Sequence, residues 1–211
     1  MTTRSHIKNA RRPQGEEGRQ LLEAMNAGTH ERLAGWALPF LTIPEGARML
    51  DVGCGGGANL ARLRALCPTG HVTGIDYSPV SVAASRDTNA AAIAAGICDV
   101  CEGNVSSLPF EDHSFDVATA FETIYFWPDL LAGLKEVARV LAPQGRIFIV
   151  NETDGSNMDP ERWGEAGDVS DLMRVYSTID IVRALEQAGF ADPSIEHNPE
   201  TGWICALAVR P

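Results

Sequence analysis

The stretch that decides the fold is Met49-Leu50-Asp51-Val52-Gly53-Cys54-Gly55-Gly56-Gly57-Ala58-Asn59-Leu60. It predicts a buried strand, then a turn with four glycines among five residues, then a helix. Glycine adopts positive φ at little cost and lets a ligand lie against bare backbone. No Lys-Ser or Lys-Thr pair follows the glycines, which excludes a P-loop. Two interpretations of the loop remain: a dinucleotide fingerprint, Gly53-x-Gly55-x-x-Ala58, or a bare turn for a nucleoside without phosphates.

Short runs rich in Val, Ile or Phe recur along the chain and predict strands. Five of them alternate with helical segments: Ala47–Val52, His71–Asp76, Cys98–Glu102, Phe115–Ala120 and Arg146–Val150. Because parallel neighbours need crossover connections, this alternation predicts a parallel sheet with helices on both faces. The last two runs, Ser194–His197 and Trp203–Val209, are joined by only five residues, which predicts an antiparallel hairpin. The predicted fold class is α/β: a doubly wound, Rossmann-like, mostly parallel sheet of seven strands with a C-terminal antiparallel hairpin.

Capping residues and helix breakers set the predicted helix boundaries. The main helices are Ala58–Leu66, a long one from Pro79 to Gly96 capped by Ser78, one from Asp129 to Pro143, and one from Ser177 to Gly189. Ser177 and Asp180 have the spacing of a capping box. Further helices are expected in residues 16–41, interrupted at Met25–His30. We expect an N-terminal arm with lid helices in residues 1–43 and one compact domain in residues 44–211.

The charge of the chain limits its partners. A net charge of −11 and an isoelectric point near 4.8 disfavour nucleic acid and anionic membranes. Residues 1–19 nevertheless hold five of the 17 basic residues. This basic arm is expected either to be solvated and partly disordered, or to dock on the acidic body, a partner chain or an anionic ligand. With no secretory signal and no apolar run of about 18 residues, the sequence predicts a cytoplasmic protein.

The five cysteines are an odd number and imply no disulfide framework. Cys98 and Cys101 have the spacing of a zinc or redox pair, but no second pair or His-x-x-His completes a four-ligand site. We interpret them as ordinary thiols, and no metal site is predicted.

A carboxylate ends the second predicted strand. Gly74-Ile75-Asp76 places Asp76 23 residues after Gly53, near the spacing of a group that binds ribose hydroxyls. This position disfavours a 2′-phosphate but does not distinguish NAD from other nucleosides.

Several stretches together resemble the class I S-adenosylmethionine-dependent methyltransferases, in particular their small-molecule, type 11-like group. The resemblance rests on Leu50–Gly57, on Gly74-Ile75-Asp76-Tyr77-Ser78, on residues 108–117 (LPFEDHSFDV), on residues 134–145 (LKEVARVLAPQG) and on the terminal hairpin. It covers about residues 45–211 and implies S-adenosyl-L-methionine as cofactor.

The resemblance also implies roles for individual residues. Asp51 and the backbone of Gly53 and Gly55 would hold the methionine end of the cofactor, and Asp76 its ribose. Asn104 stands where the family often has an acidic acceptor for the adenine amino group, and its amide oxygen can accept the same bond. The implied cofactor set also includes Cys54, Tyr77, Ser78, Val105 and Phe121. A carboxylate at Asp51 suits an ammonium and a sulfonium, and would repel a pyrophosphate.

The residues that follow the fourth predicted strand are the candidates for the acceptor side. The segment Ala120–Pro128 carries four aromatic rings in seven residues, at the mouth of the predicted crevice. Phe121 and Glu122 are expected beside the cofactor, and Tyr125 and Trp127 as an acceptor wall, unless these rings only cover the end of the sheet. Glu122 is the first candidate for a general base.

Two further elements could cover the acceptor. His30 ends the predicted lid linker, and an imidazole can act as a base near neutral pH. Tyr125 completes the catalytic candidates, and Glu152–Tyr176, with Trp163, Met173 and Tyr176, is expected to form a second flap.

The sequence therefore predicts methyl transfer to a small-molecule acceptor by in-line displacement, in which a base is optional. Two alternatives stay open. One is a catalytically silent protein that binds S-adenosylmethionine or S-adenosylhomocysteine. The other is an NAD-dependent oxidoreductase, which Asp51 and the terminal hairpin disfavour.

Overall fold

The computed structural model describes residues 3–156 and 171–211. The strands are β1 (Arg48–Val52), β2 (His71–Asp76), β3 (Cys98–Glu102), β4 (Phe115–Phe121), β5 (Leu141–Asn151), β6 (Ala191–His197) and β7 (Ile204–Val209). The helices are α1 (Thr3–Arg11), α2 (Gly15–Asn26), α3 (Thr29–Ala37), α4 (Ala58–Leu66), α5 (Pro79–Thr88), α6 (Ala90–Ala94), α7 (Leu130–Val140) and α8 (Thr178–Gln187). Short 3₁₀ turns follow at Leu38–Phe40 and Ile124–Phe126.

The seven strands form one sheet in the order β3-β2-β1-β4-β5-β7-β6. Strands β1 to β5 pair in parallel, and β7 is antiparallel to both β5 and β6. The predicted fold class is confirmed. The order reverses between β1 and β4, and in such sheets ligands bind outside the carboxyl ends of the strands at that point.

The predicted long helix after Ser78 is wrong in one respect: it breaks at Asn89 into α5 and α6. The Asn89 side chain is buried and donates hydrogen bonds to the carbonyl oxygens of Gly57 and Ser85, both at 3.0 Å. The side chain of Asn89 thus connects the helix break to the glycine loop.

Strand β5 begins at Leu141, earlier than the predicted start at Arg146. Gln144 donates its backbone N–H to the carbonyl of Arg210, and Arg210 donates to Gly145, each at 2.8 Å. Helix α7 ends at Val140, before the predicted end at Pro143, and the Pro-Gln-Gly segment itself lies within β5 beside the C-terminal segment.

The basic arm docks on the body, which was one of the alternatives for it. The Arg4 guanidinium donates to both oxygens of Asp171, at 2.8 and 2.6 Å. Ile7 is 5% exposed and packs against Tyr125 and Met173. Helix α1 therefore forms part of the folded molecule.

Two apolar clusters cover the two faces of the sheet. One of them joins residues of α3, such as Leu33 and Ala37, to Met49 of β1 and Phe148 of β5. The division at residues 43 and 44 thus runs through a shared core, and it stays a prediction. None of the helices in the described residues has the length and apolar character needed to cross a membrane. All five cysteines are free thiols.

Candidate active site

A cavity of about 270 Å³ lies at the carboxyl ends of β1, β2 and β4. Most of the predicted site residues line it: His30, Gly53, Cys54, Gly55, Asp76, Tyr77, Asn104, Val105, Phe121 and Glu122. Asp51, Ser78 and Tyr125 do not. The structure thus brings the predicted cofactor and acceptor residues together in one cavity.

The glycine loop is tied to the end of β2. The backbone N–H groups of Gly53 and Cys54 both donate to the carbonyl of Ile75, at 2.8 and 3.0 Å. Gly53 has φ +78°, and a Cβ there would lie 2.1 Å from Oγ1 of Thr123. At Gly55, with φ +53°, an added Cβ would meet only Leu22, at 3.7 Å. The backbone of Gly55 therefore faces open cavity, as a bare ligand cradle requires.

Asp76 organises the loop through both carboxylate oxygens. Oδ2 accepts from the backbone N–H of Gly55 at 3.0 Å, and Oδ1 accepts from that of Ser78 at 2.9 Å. Burial raises the pKa of Asp76, and these two hydrogen bonds oppose the rise. Its carboxylate lies on the cavity wall, where ribose hydroxyls could donate to it.

Asp51 is 2% exposed and does not line the cavity. It accepts a hydrogen bond of 2.6 Å from the hydroxyl of Thr119. Burial raises the pKa of Asp51 to about 7, with a further rise from the charge of Asp76. Burial thus favours the protonated form of Asp51 up to about pH 7.

Tyr77 and Ser78 hold the N-terminal segment. The Tyr77 hydroxyl donates to the carbonyl of Arg11, and the Ser78 hydroxyl donates to that of Pro13 at 2.9 Å. Ser78 is fully buried and also caps α5 by accepting from the backbone N–H of Ser81. The residues after β2 therefore fasten the arm over the cavity.

Asn104 uses its side-chain oxygen in a turn. Oδ1 accepts from the backbone N–H of Ser106 at 2.9 Å. A carbonyl oxygen has two lone pairs, so one is left for a donor such as an amino group.

Glu122 lines the predicted acceptor end of the cavity. Its backbone has the left-handed conformation, with φ +57°. Its Oε1 accepts from the backbone N–H of Glu152 and lies 3.4 Å from the hydroxyl of Tyr125. The Tyr125 hydroxyl also lies 3.2 Å from the carbonyl oxygen of Thr153. Burial and the charge of Glu122 raise the pKa of Tyr125 well above its usual value, so Tyr125 stays protonated and positions Glu122.

Three metal-ligating side chains meet beside this point. One ligand atom each of His30, Glu122 and Glu152 lies within 4.8 Å of the others. The sequence singled out the first two separately, without a metal. Glu152 was not predicted as a site residue. Its position directly after β5, which pairs with β4, is the feature that could have indicated it.

Other cavity residues were also missed, among them Leu22, Asn26, Arg62 and Thr123. Asn26 donates to the carbonyl of Gly56 at 3.1 Å, which joins the end of α2 to the glycine loop. Asparagine at a helix end carries no signal of such a distant contact.

The predicted flap Glu152–Tyr176 lies partly outside the described residues, and with it Trp163. Met173 and Tyr176 are buried and do not line the cavity. Trp127 does line it, and its indole N–H donates to Oγ1 of Thr123 at 3.3 Å.

Comparison with known proteins agrees with this geometry. Residues 50–149 match a family model described as a methyltransferase domain. Cycloartenol-C-24-methyltransferase 1 of Oryza sativa subsp. japonica is 31% identical over 177 residues, 79% of this chain and 51% of that protein. The 27-O-demethylrifamycin SV methyltransferase of Amycolatopsis mediterranei is 34% identical over 183 residues, 83% of this chain and 64% of that protein. The chain thus spans between half and two thirds of the length of these curated relatives.

A solved structure shares the fold. The SAM-dependent methyltransferase from Aquifex aeolicus superposes with a TM-score of 0.74 at 20% identity, over 92% of this chain and 98% of that one. The matched segment includes the glycine loop, Asp76, Asn104 and Glu122, the residues around which the cavity is built. Residues 50–149 thus form a methyltransferase domain, and the fold, the site and these relatives support a class I S-adenosylmethionine-dependent methyltransferase.

Proposed function

We propose that this protein transfers a methyl group from S-adenosylmethionine to a small-molecule acceptor by in-line displacement. One observation carries the proposal. The bare backbone of Gly55 and the carboxylate of Asp76 share a single cavity with Glu122 and His30. A nucleoside-binding end and an acid–base end thus face the same space.

The residues present fit the cofactor. Gly53 and Gly55 would hold its methionine part, and Asp76 would accept hydrogen bonds from its ribose hydroxyls. Asp51 would balance its ammonium charge from beneath the loop. Bound S-adenosylmethionine supplies a methyl group on a positively charged sulfur.

Methyl transfer from a sulfonium disperses charge, so positioning and exclusion of water contribute much of the rate. Helices α1, α2 and α3 each contribute residues to the cavity wall and cover it. Where the acceptor must lose a proton, Glu122 and His30 are the groups placed to take it. Tyr125 keeps its own proton and holds Glu122 in position.

A small acceptor suits this enclosure. The covering helices leave a cavity of about 270 Å³, and the net charge of −11 disfavours a nucleic-acid substrate. The relatives named above carry small molecules in their names. We propose that the protein acts in the cytoplasm.

Calorimetry with S-adenosylmethionine, S-adenosylhomocysteine and NAD tests the proposal. We expect both adenosyl ligands to bind and NAD not to bind. Asp76→Ala should lose about 1.5–3 kcal/mol of binding free energy, the range for hydrogen bonds to a charged group. Asp99→Ala is the control, because Asp99 pairs with His71 away from the cavity. Binding of NAD without either adenosyl ligand would overturn the proposal.

Turnover needs a separate measurement. Consumption of the methyl donor is followed with pooled small molecules, and we expect at least one pool to accept the methyl group. Adenosyl binding without turnover in any pool would favour the catalytically silent binding protein instead.

A further inference from the structure

The cluster of His30, Glu122 and Glu152 is assembled by three separate elements. Glu122 directly follows β4 and Glu152 directly follows β5, and these two strands pair in parallel with their carboxyl ends side by side. His30 lies in the first turn of α3, which packs over this end of the sheet. The convergence therefore comes from the tertiary fold and not from neighbouring positions in the sequence.

Backbone hydrogen bonds fix Glu122, both at its own main chain and at its carboxylate. Glu122 donates its N–H to the carbonyl of Val150 at 2.8 Å, and Glu152 donates its N–H to Oε1 of Glu122. Glu152 is 4% exposed, while Glu122 and His30 are partly exposed. One oxygen of Glu122 is thus fixed, and its other oxygen and the imidazole have access to the cavity.

The spacing of the three groups suits a single ion. Their ligand atoms lie within 4.8 Å of one another. Two ligands on one ion, with bonds of about 2.0–2.2 Å, lie about 3–4 Å apart. Small rotations of the partly exposed side chains of His30 and Glu122 toward the buried Glu152 therefore bring all three onto one ion.

We propose that His30, Glu122 and Glu152 bind one divalent transition-metal ion at the acceptor end of the cavity. One imidazole with two carboxylates suits Mn²⁺, Fe²⁺ or Zn²⁺ better than Mg²⁺. Three protein ligands leave positions open for water or substrate, as catalytic metal sites do. Because Glu122 and His30 line the cavity, an ion bound to them would be accessible from it.

The role of the ion rests on the proposed function. The acceptor is then a small molecule with a weakly acidic hydroxyl, such as a phenol or an enol, whose oxygen binds the ion. With Glu122 and His30 engaged as ligands, the ion would lower the pKa of that hydroxyl, and the proton would leave to water instead of to these side chains. The oxygen forms its bond to the methyl carbon as the carbon–sulfur bond breaks, and the electron pair of that bond neutralises the sulfonium.

The first test measures metal binding alone. The full chain is stripped with a chelator, and Mn²⁺ binding is followed by electron paramagnetic resonance and calorimetry, with Zn²⁺ as competitor. We expect one Mn²⁺ per chain, displaced by Zn²⁺. Glu152→Gln should weaken binding at least about tenfold, since even outer-shell partners of metal ligands contribute that much. Glu31→Gln removes the same charge from an exposed residue next to His30 and should leave binding unchanged.

His30→Gln is the second variant, in case the loss of a buried carboxylate unfolds the chain. S-adenosylhomocysteine affinity, measured on every variant, reports the fold and the cofactor site separately. Equal Mn²⁺ binding by the wild type, Glu152→Gln and His30→Gln would overturn the metal site, and so would no Mn²⁺ binding with intact adenosyl affinity. If the wild type binds Mn²⁺ but does not bind S-adenosylhomocysteine, the result contradicts the proposed function and not the metal site.

Discussion

Gly53 occupies a place where no side chain fits. Its φ of +78° is strained for any other residue, and a Cβ would lie 2.1 Å from Oγ1 of Thr123. Gly46 has a similar φ of +71° but open space around it. An alanine at Gly46 therefore tests backbone strain alone, and an alanine at Gly53 tests strain together with steric overlap.

We expect Gly46→Ala to lower the free energy of unfolding by about 1–2 kcal/mol, the cost of a left-handed alanine. Gly53→Ala should lower it further and should weaken S-adenosylhomocysteine binding, because Thr123 must move within the cavity wall. Urea denaturation and calorimetry measure both quantities. Equal losses of stability in the two variants would show that the overlap at Gly53 is relieved without effect.

Asp51 makes the stability of the fold depend on pH. Its pKa of about 7 lies above the ordinary 3.8, so the folded state holds the proton more tightly than the unfolded chain. The stability from this group is fully present below about pH 4 and falls as the pH rises to about 7. At about 1.4 kcal/mol per pKa unit, the upper limit of the change is about 4 kcal/mol.

Asp51→Asn keeps a hydrogen-bonding group for Thr119 but has no charge. We expect the variant to unfold at higher urea concentration than the wild type at pH 8, and with little difference at pH 4. The difference between the two proteins cancels the contributions of all other titrating groups. Parallel stability curves of the two proteins from pH 4 to 8 would contradict the raised pKa.

At the scale of elements, α1 is held over the cavity by a few polar contacts. The hydroxyl of Tyr77 donates to the carbonyl of Arg11, and that of Ser78 donates to Pro13. At the other end of α1, Arg4 pairs with the exposed Asp171. Exposed ion pairs contribute less than about 1 kcal/mol, so the Tyr77 and Ser78 contacts hold the C-terminal end of α1 more firmly than Arg4 holds its beginning.

Tyr77→Phe removes one of these hydrogen bonds and keeps the ring. We expect faster trypsin cleavage after Arg11, and faster dissociation of S-adenosylhomocysteine in stopped-flow experiments. Tyr176→Phe is the matched control, since Tyr176 is buried away from the cavity. Equal cleavage rates for the two variants would show that the Tyr77 hydroxyl does not retain the helix.

Local signals in the sequence predicted most helices and strands, but contacts between residues far apart in the sequence could not be predicted. The Ser78 cap and the capping box of Ser177 and Asp180 are confirmed, because each depends on residues within one turn. The break at Asn89 depends on Gly57, more than thirty positions away in the sequence. The position of Glu152 after the fifth predicted strand is visible in the sequence, but its meeting with Glu122 depends on the pairing of β5 with β4, which no local pattern reveals.

At the scale of the whole molecule, the N-terminal helices belong to the same core as the sheet. Leu33, Leu38 and Leu41 are each less than 10% exposed and pack in one cluster with residues of β1 and β5. Burying a leucine side chain contributes about 1.5–3 kcal/mol, so these three supply about 5–9 kcal/mol. That is comparable with the entire stability of a typical domain, about 5–15 kcal/mol.

Helix α1 contributes far less to this core. Ile7 is its one apolar side chain in a buried cluster among the described residues, and that cluster is separate from the one that contains α3. Arg11 and Pro13, in contrast, line the cavity. Residues 3–14 therefore contribute more to the cavity wall than to the core.

Two truncations test this difference. We expect residues 15–211 to unfold cooperatively, with a loss of a few kcal/mol at most, since one buried isoleucine contributes about 1.5–3 kcal/mol. The same chain should bind S-adenosylhomocysteine more weakly, because the wall formed by Arg11 and Pro13 is gone. Residues 44–211 should lack a cooperative transition, because the cluster around Phe148 loses its cover. Calorimetric melting and adenosyl binding of both chains, beside the full chain, give the comparison. If residues 44–211 melt as cooperatively as the full chain, the boundary at residue 43 separates two folding units, and the shared cluster is not needed for stability.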